Sequence, residues 1–216
     1  MPSRYVFVTG GTGYLGRPLI GQLIARGHAV RALVREGSAS SLPPGASTVL
    51  GDALSAESYV HAVPPADTFV HLVGTPRPSP AKAERFRSTD LRSIEAAVAA
   101  ARSANVRHFV YVSVAQPAPI MRAYIEVRQA GEALIRSSGI DATILRPWYV
   151  LGPGHRWPYA LLPLYFLLEL IPATRESAQR LGLVRRDQML AALVHAVEQP
   201  ANGTRVLGVP EIRRFS

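Results

Sequence analysis

The 216-residue chain contains no cysteine. This absence excludes disulfides, thiolate metal sites and cysteine nucleophiles, and it is compatible with a reducing cytoplasm, which we take as the expected location. The six histidines are scattered, and none is paired with a second histidine or a carboxylate at ligand spacing, so no metal site is predicted. An apolar strand begins almost at the N-terminus, without a basic region and a long apolar stretch before it, and the pattern therefore predicts no cleaved signal peptide.

Lysine is nearly absent from the sequence. Lys82 is the only lysine among the 24 lysine and arginine residues, so the net charge of +9 depends on arginine. A basic balance of this size raises nucleic acid or an anionic membrane as partners. The arginines are spread from Arg4 to Arg214, with no dense run, no zinc-finger spacing and no aromatic-interleaved RNA signature. We therefore expect no nucleic-acid partner.

The length suits one domain, and apolar strands alternate with amphipathic helices along it. Such alternation predicts an α/β protein with a doubly wound parallel sheet and helices on both faces. Ligands of such sheets bind beyond the carboxyl ends of the strands, where the segments after Val73 and Ser113 are expected. The predicted strands are residues 5–9, 28–34, 47–51, 67–73, 108–113 and 142–146, and the predicted helices are residues 14–26, 55–63, 82–103, 122–138 and 187–198.

A glycine-rich turn joins the first strand to the first helix. Glycines at 10, 13 and 16 lack a Cβ atom, so the turn can be tight, the backbone can approach a pyrophosphate, and the helix can press onto the strand. The free N–H groups and the positive end of that helix then face the phosphates. The motif predicts a dinucleotide site formed by Gly10, Thr12, Gly13, Tyr14, Leu15 and Gly16.

The run from Thr9 to Gly16, with its Gly-x-x-Gly-x-x-Gly spacing, resembles the short-chain dehydrogenase/reductase superfamily in its extended and atypical branches, which include NmrA-like and epimerase-like proteins. The best-matched part is residues 5–153. The resemblance implies a Rossmann fold, an NAD(P) cofactor and a small-molecule substrate.

The resemblance also implies further cofactor contacts. The pair Asp52 and Ala53 looks like the segment that meets the adenine, although Asp52 could instead cap the helix that follows. Val73 and Gly74 occupy the end of the strand beneath the nicotinamide-side ribose, where Gly74 lets the backbone pass close to the cofactor. Pro147 opens a stretch, residues 147–154, that resembles the family's segment beside the nicotinamide.

Arg35 at the end of the second strand favours NADP over NAD. A carboxylate at this place would hold a ribose 2′-hydroxyl, whereas a guanidinium can hold a 2′-phosphate with a charge-assisted pair. Glu36 next to it keeps NAD open as the alternative.

The candidate catalytic residues are Ser113, Tyr124 and Arg128. Tyr124 is the only tyrosine with a basic residue four positions later, and residues four apart share a helix face. The resemblance implies that the serine orients a substrate oxygen, that the tyrosine donates or takes its proton, and that the cation favours the ionised tyrosine and holds the ribose. The family usually has lysine where this chain has Arg128, which cannot join a proton relay. A catalytically inactive NADP-binding sensor or assembly protein is therefore the alternative to an enzyme.

Three further predictions concern residues outside this set. His71 lies inside an apolar strand and is expected to be a core histidine. Glu132 is expected to be a helix-face residue. Residues 148–186 are predicted to form a substrate-side segment within the single domain 1–216.

The most apolar stretch, residues 159–171, is too short to span a bilayer, which needs about twenty residues. It could line a pocket for an apolar substrate, form a homodimer face, or lie on a membrane as a peripheral contact. Taken together, the sequence predicts an NADP(H)-dependent oxidoreductase that acts on a small, rather apolar carbonyl or alcohol.

Overall fold

The computed structural model describes residues 3–154 and 162–216, so the first part of the apolar stretch at 159–171 lies outside the described residues. The strands are β1 (Tyr5–Thr9), β2 (Ala29–Val34), β3 (Ser47–Leu50), β4 (Thr68–His71), β5 (His108–Val112), β6 (Asp141–Leu145), β7 (Tyr149–Leu151), β8 (Leu183–Arg185) and β9 (Thr204–Leu207). The helices are α1 (Gly16–Ala25), α2 (Ala83–Arg85), α3 (Arg92–Ser103), α4 (Arg122–Ser138), α5 (Leu162–Leu170), α6 (Pro172–Arg180), α7 (Arg186–Glu198) and α8 (Val209–Ile212).

Seven strands form one parallel sheet in the order β3-β2-β1-β4-β5-β6-β9. β7 and β8 pair in a separate two-stranded sheet. The strand order reverses between β1 and β4, which is the arrangement of a doubly wound Rossmann domain. The predicted fold class is confirmed.

Alternating side chains of the strands supply a core on each face of the sheet. Val6 and Val8 of β1 face α1 and α7 in one apolar cluster, whereas Phe7 joins the other cluster with α3 and α4. On that second face the rings of Phe7, Phe69 and Phe109 form a ladder across β1, β4 and β5, with centroids 5.2 Å apart at each step. The three phenylalanines are direct partners in the pairing of β1 with β4 and of β4 with β5, so the ladder follows the register of the central strands.

His71 lies on the same face of the sheet and is a buried core histidine, as predicted. Its ring nitrogens lie 2.8 Å from Thr9 Oγ1 and 3.3 Å from Ser93 Oγ. Burial, with a smaller contribution from Arg128, lowers the pKa of His71 to about 3. The imidazole is therefore neutral at physiological pH.

The prediction of a helix over residues 55–63 is wrong. The segment forms two short 3₁₀ turns, at Ala56–Ser58 and Val60–Ala62. The Oγ of Ser58 lies 2.8 Å from the carbonyl oxygen of Ser55 and 3.1 Å from that of Asp52, so its single proton bonds locally, and this bonding competes with an α-helical ladder.

Several other boundaries differ from the sequence predictions. α1 begins at Gly16 rather than at residue 14, because residues 14 and 15 belong to the glycine-rich turn. The predicted helix over 82–103 is interrupted by a π-helical stretch, Phe86–Leu91, between α2 and α3. The short strands β7, β8 and β9 were not predicted.

The segment over residues 148–186 contains β7, α5, α6 and β8 among its described parts. α6 packs over the carboxyl ends of the strands, where the Nε of Arg180 donates to the carbonyl of Pro117 at 3.2 Å. Within residues 3–154 and 162–216, no helix has the length and apolar character needed to cross a membrane.

Candidate active site at the carboxyl edge of the sheet

The glycine-rich turn is packed against the end of β4. A Cβ atom on Gly10, whose φ is +76°, would lie 2.7 Å from the carbonyl carbon of Leu72 and 2.9 Å from the nitrogen of Val73. A Cβ on Gly16 would overlap the carbonyl oxygen of Gly10. The two glycines are therefore required for the turn to close between β1, β4 and the start of α1. Val73, and Gly74 after it, consequently lie next to the turn, as a shared cofactor site requires.

The start of α1 is suited to bind an anion. Its N-cap residue is Leu15, which has no polar group, and the first turn carries the exposed Arg17 but no carboxylate. Thr12 and Gly13 in front of it are exposed. The N–H groups and the positive end of the helix are thus available to a pyrophosphate, and this part of the chain fits the dinucleotide that the motif predicts.

Tyr14, in the glycine-rich turn, contacts two later parts of the chain. The guanidinium of Arg186 lies over its ring, 5.4 Å from the centroid. A Cβ atom on Gly152 would overlap the Tyr14 hydroxyl. Gly152 therefore brings the segment after β6 directly against the glycine-rich turn. Pro147, at the start of that segment, is buried, and its carbonyl accepts a hydrogen bond of 2.9 Å from Ala115 N.

Arg35 and Asp52 lie at the carboxyl ends of β2 and β3, respectively. Arg35 is exposed directly after Val34, the last residue of β2. Asp52 is exposed as well, and its Oδ1 accepts a hydrogen bond of 2.9 Å from Leu54 N, which stabilises the turn after β3. It caps no helix, because the 3₁₀ turn that follows begins after Ser55. Ala53 beside it is half-buried.

Arg128 forms a buried ion pair with Asp90. Its Nη2 lies 2.6 Å from Asp90 Oδ1, and the two residues are only 5% and 2% exposed. Asp90 also accepts hydrogen bonds from the N–H and the hydroxyl of Thr75. The Nη1 of Arg128 donates to the carbonyl of Val112 at 3.1 Å and to the Tyr111 hydroxyl at 3.4 Å. The cation is thus fixed between the ends of β4 and β5 and is neutralised there.

Gly74 is the residue that makes room for this ion pair. A Cβ on Gly74 would lie 2.5 Å from Arg128 Nη2 and 3.2 Å from Asp90 Oδ1. Arg128 therefore lies directly beneath the segment in which the resemblance places the ribose. Among the described residues its buried Nε finds no hydrogen-bond acceptor, which leaves one donor of the guanidinium for another molecule.

Tyr124 lies beside Arg128, as their spacing predicts. The Cζ of Arg128 is 5.0 Å from the centroid of the Tyr124 ring. The ring of Phe86 also packs against the Tyr124 ring, with 5.0 Å between the two centroids. Burial alone would lower the pKa of Arg128, but Tyr124, Tyr111 and Asp90 raise it, and the net shift is upward. Arg128 is therefore a permanent cation.

Ser113 belongs to a second buried cluster, centred on Glu132. Its hydroxyl donates to Glu132 Oε1 at 2.7 Å. The same carboxylate accepts bonds from Gln116, Arg136 and, through both of its oxygens, Arg146. Burial would raise the pKa of Glu132, but the hydrogen bonds from Arg146 and Ser113 outweigh it and lower the pKa. The serine hydroxyl thus points to a carboxylate of the protein itself.

Glu132 lies on one face of α4, as predicted, and this face is buried, since the residue is 1% exposed. The spacing contained the signal: Tyr124, Arg128 and Glu132 follow one another at intervals of four and share the face of α4 that packs on the sheet. Asp90 was missed altogether, although it interrupts an apolar series formed by Phe86, Ile94 and the alanines of α3. A carboxylate at such a place requires a partner when it is buried.

A cavity of about 260 Å³ lies at the carboxyl ends of β5, β6 and β9. Gln116, Arg146, Gln179, Arg180 and Glu211 contribute its polar lining. Of the described residues, those that line it do not include Tyr124. Among residues 3–154 and 162–216, no group of three or more histidines and carboxylates is placed to hold a metal ion.

Comparisons with known proteins agree with this geometry. Residues 10–156 match the family model described as NAD(P)H-binding. The chain is 27% identical to the ceramide reductase of Caulobacter vibrioides, over 97% of this chain and 65% of that protein. It is 31% identical to a 3-diazoavenalumate denitrifying reductase of a Streptomyces species, over 92% of this chain and 73% of that protein. The chain thus spans about two thirds of the length of these relatives.

Solved structures show the same fold. The Bordetella bronchiseptica enzyme WbmH, crystallised with NAD⁺, superposes with a TM-score of 0.72 and 21% identity, over 96% of this chain and 76% of that one. The predicted resemblance to the short-chain dehydrogenase/reductase superfamily is confirmed, as is the predicted class of cofactor, NAD or NADP. The chain belongs to the family whose model is described as NAD(P)H-binding, and it has the Rossmann fold.

Proposed function

We propose that the protein is an NADP(H)-dependent oxidoreductase that reduces a small, rather apolar carbonyl compound, or oxidises the corresponding alcohol, with Tyr124 as the acid/base residue. The observation that carries the proposal is the contact of Tyr124 with Arg128, whose guanidinium lies against Gly74, one residue after the Val73 that touches the glycine-rich turn. The two relatives named above are both called reductases, and ceramide, from which one takes its name, is an apolar molecule.

When bound, the cofactor supplies or accepts the hydride, so the chain itself must move a proton at the substrate oxygen. The Tyr124 hydroxyl is the proposed donor. Arg128 has a fixed position and a permanent charge, and its buried Nε is a candidate donor to a ribose hydroxyl. Because a guanidinium cannot release a proton, any relay to solvent must leave Tyr124 by another path.

Ser113 has a supporting role in this proposal. Its hydroxyl can turn to a substrate oxygen only by giving up the bond of 2.7 Å to Glu132. That bond is charge-assisted and buried, so losing it is costly. We therefore assign Ser113 to the positioning of the loop that carries Gln116.

For the cofactor, we propose NADP rather than NAD. Arg35 is exposed at the end of β2, where a 2′-phosphate would lie, and Arg17 on the first turn of α1 is a second cation on that side. Both guanidinium groups favour a dianionic phosphate, whereas Glu36 opposes it.

The test is NADPH oxidation by the purified chain with a panel of apolar ketones and aldehydes. Tyr124→Phe should reduce turnover about a hundredfold or more while NADPH still binds, because only the proton donor is removed. Tyr5→Phe, at the opposite, amino end of β1, is the matched control and should behave as wild type. Unchanged turnover in Tyr124→Phe would refute the role of the tyrosine.

A second candidate function is cofactor sensing or assembly without catalysis. Two observations favour it: Asp90 already neutralises Arg128, and the cavity of about 260 Å³ is lined by residues around Arg146 rather than by Tyr124. This candidate predicts cofactor binding with no turnover on any carbonyl compound, and equal cofactor binding by wild type and Tyr124→Phe.

A further inference from the structure

An exposed apolar stripe runs along α5 to the start of α6. Leu167, Leu170 and Ile171 are 58%, 57% and 49% exposed, and Pro163, one turn earlier, is exposed as well. The spacing of Pro163, Leu167 and Leu170 places these three on one face of α5, and Ile171 follows directly as the N-cap residue of α6. We call these four residues the α5 stripe. Solvent exposure of several large aliphatic side chains on one face marks a contact surface.

The α5 stripe is attached to the carboxyl edge of the sheet. The Nε of Arg180 in α6 donates to the carbonyl of Pro117 in the loop after β5, at 3.2 Å. In that loop Ile120 is 55% exposed. At the end of the loop, Tyr124 packs on Phe86 from the segment after β4. α6, which packs against α5, thus contacts the loop after β5, and that loop leads to Tyr124, which contacts the segment after β4.

The two segments after β4 and β5 at this edge of the sheet are basic. Residues 74–92 and 113–124 carry six cations against two carboxylates. One of the two carboxylates is Asp90, which is buried and paired with Arg128. The cations are Arg77, Lys82, Arg85, Arg87, Arg92 and Arg122, and all of them except the half-buried Lys82 are exposed. An apolar stripe beside a cluster of cations is the combination that binds anionic lipid surfaces.

The dimensions distinguish this surface from the alternatives. α5 has nine residues, which is about 14 Å of helix, so it can lie in the headgroup region but cannot cross a hydrocarbon core of about 30 Å. A standard interface between two protein chains takes about 20–30 residues from each side, whereas the stripe offers four. Two positively charged copies of this edge would also repel each other.

We propose that the α5 stripe, with the basic loops after β4 and β5, docks the protein on the surface of a bilayer that contains anionic lipids. Leu167, Leu170 and Ile171 enter the boundary between headgroups and acyl chains, and the cations contact lipid phosphates. The carboxyl edge of the sheet then faces the membrane. The proposal does not depend on the oxidoreductase activity, because docking is measured without turnover.

The experiment is co-sedimentation of the full chain with vesicles of phosphatidylcholine, with and without phosphatidylglycerol. We expect binding to the vesicles that contain phosphatidylglycerol and its loss at high salt. Leu167→Gln/Leu170→Gln should weaken the binding about tenfold or more, since two inserted side chains become polar. Glutamine keeps helix propensity, and both positions are exposed, so the fold should be retained.

The matched control is Leu50→Gln. Leu50 is 60% exposed on β3, at the far edge of the sheet from β9, and its replacement should leave vesicle binding unchanged. Wild-type protein that stays in the supernatant would overturn the proposal, as would a double variant that binds like wild type. Equal binding to vesicles without phosphatidylglycerol would overturn the role of the cations. A wild-type dimer in sedimentation velocity that becomes monomeric in the double variant would assign the stripe to a second copy instead.

Discussion

Replacing Asp90 by asparagine removes the counter-charge of a guanidinium that is only 5% exposed. Breaking a buried ion pair on one side costs about 3–5 kcal/mol of the free energy of unfolding, because the remaining charge is left uncompensated. The asparagine oxygen can still accept a hydrogen bond from Thr75 N. We therefore expect Asp90→Asn to lower the free energy of unfolding by about 3 kcal/mol, at the lower end of this range. Arg128→Gln leaves the carboxylate instead and should cost a similar amount.

The double variant Asp90→Asn/Arg128→Gln carries neither charge. It should be more stable than the sum of the two single changes implies, by about 2–3 kcal/mol. Urea denaturation followed by circular dichroism measures all four corners of this cycle. The surface pair of Arg180 and the exposed Glu176 is the control, since Glu176→Gln should change stability by less than about 1 kcal/mol. Strictly additive effects of Asp90→Asn and Arg128→Gln would refute the ion pair.

Two further predictions concern the cofactor and pH. Arg35→Ala should weaken NADPH binding about tenfold to a hundredfold, the equivalent of one charge-assisted contact of about 1.5–3 kcal/mol, and should leave NADH binding nearly unchanged. Arg102→Ala, an exposed arginine at the end of α3, is its control in fluorescence titrations, and equal loss for both nucleotides would contradict the assignment. Burial, with nearby arginines, lowers the pKa of His71 to about 3 and that of His108 to about 4, so both stay neutral in the folded state while the unfolded chain takes up protons below about pH 6.5. The free energy of unfolding should therefore fall by about 2 kcal/mol per histidine between pH 7 and pH 5, and urea denaturation that shows no such decline would contradict the neutral imidazoles.

The sequence predicted the parts of the fold that depend on strong local patterns. The β-branched residues of the strands predicted β1. The glycines of the turn at 10–16 predicted the Rossmann arrangement, because Gly10 and Gly16 have no room for a Cβ atom. Residues 55–63 misled the prediction, since the local hydrogen bonds of Ser58 cannot be read from hydrophobic spacing. β9 escaped detection because four residues with two polar side chains give too weak an alternating pattern.

The site shows the same division. The spacing of Tyr124 and Arg128 correctly predicted that the two side chains meet. Their partners could not be predicted, because Asp90 comes from a helix 38 residues away in sequence and joins Arg128 only through the folded sheet. The motif also predicted a serine at position 113 as a candidate site residue, but not its partner. Tertiary packing decides that its hydroxyl donates to Glu132.

The decisive measurement for Tyr124 as the acid/base residue of an NADP-dependent enzyme is a crystal structure of the complex with NADP⁺. We expect the pyrophosphate at the start of α1, the 2′-phosphate on Arg35, and the nicotinamide beside the Tyr124 hydroxyl with its ribose over Gly74 and Arg128. A nicotinamide ring bound away from Tyr124, with no space for a substrate between them, would contradict the proposed chemistry.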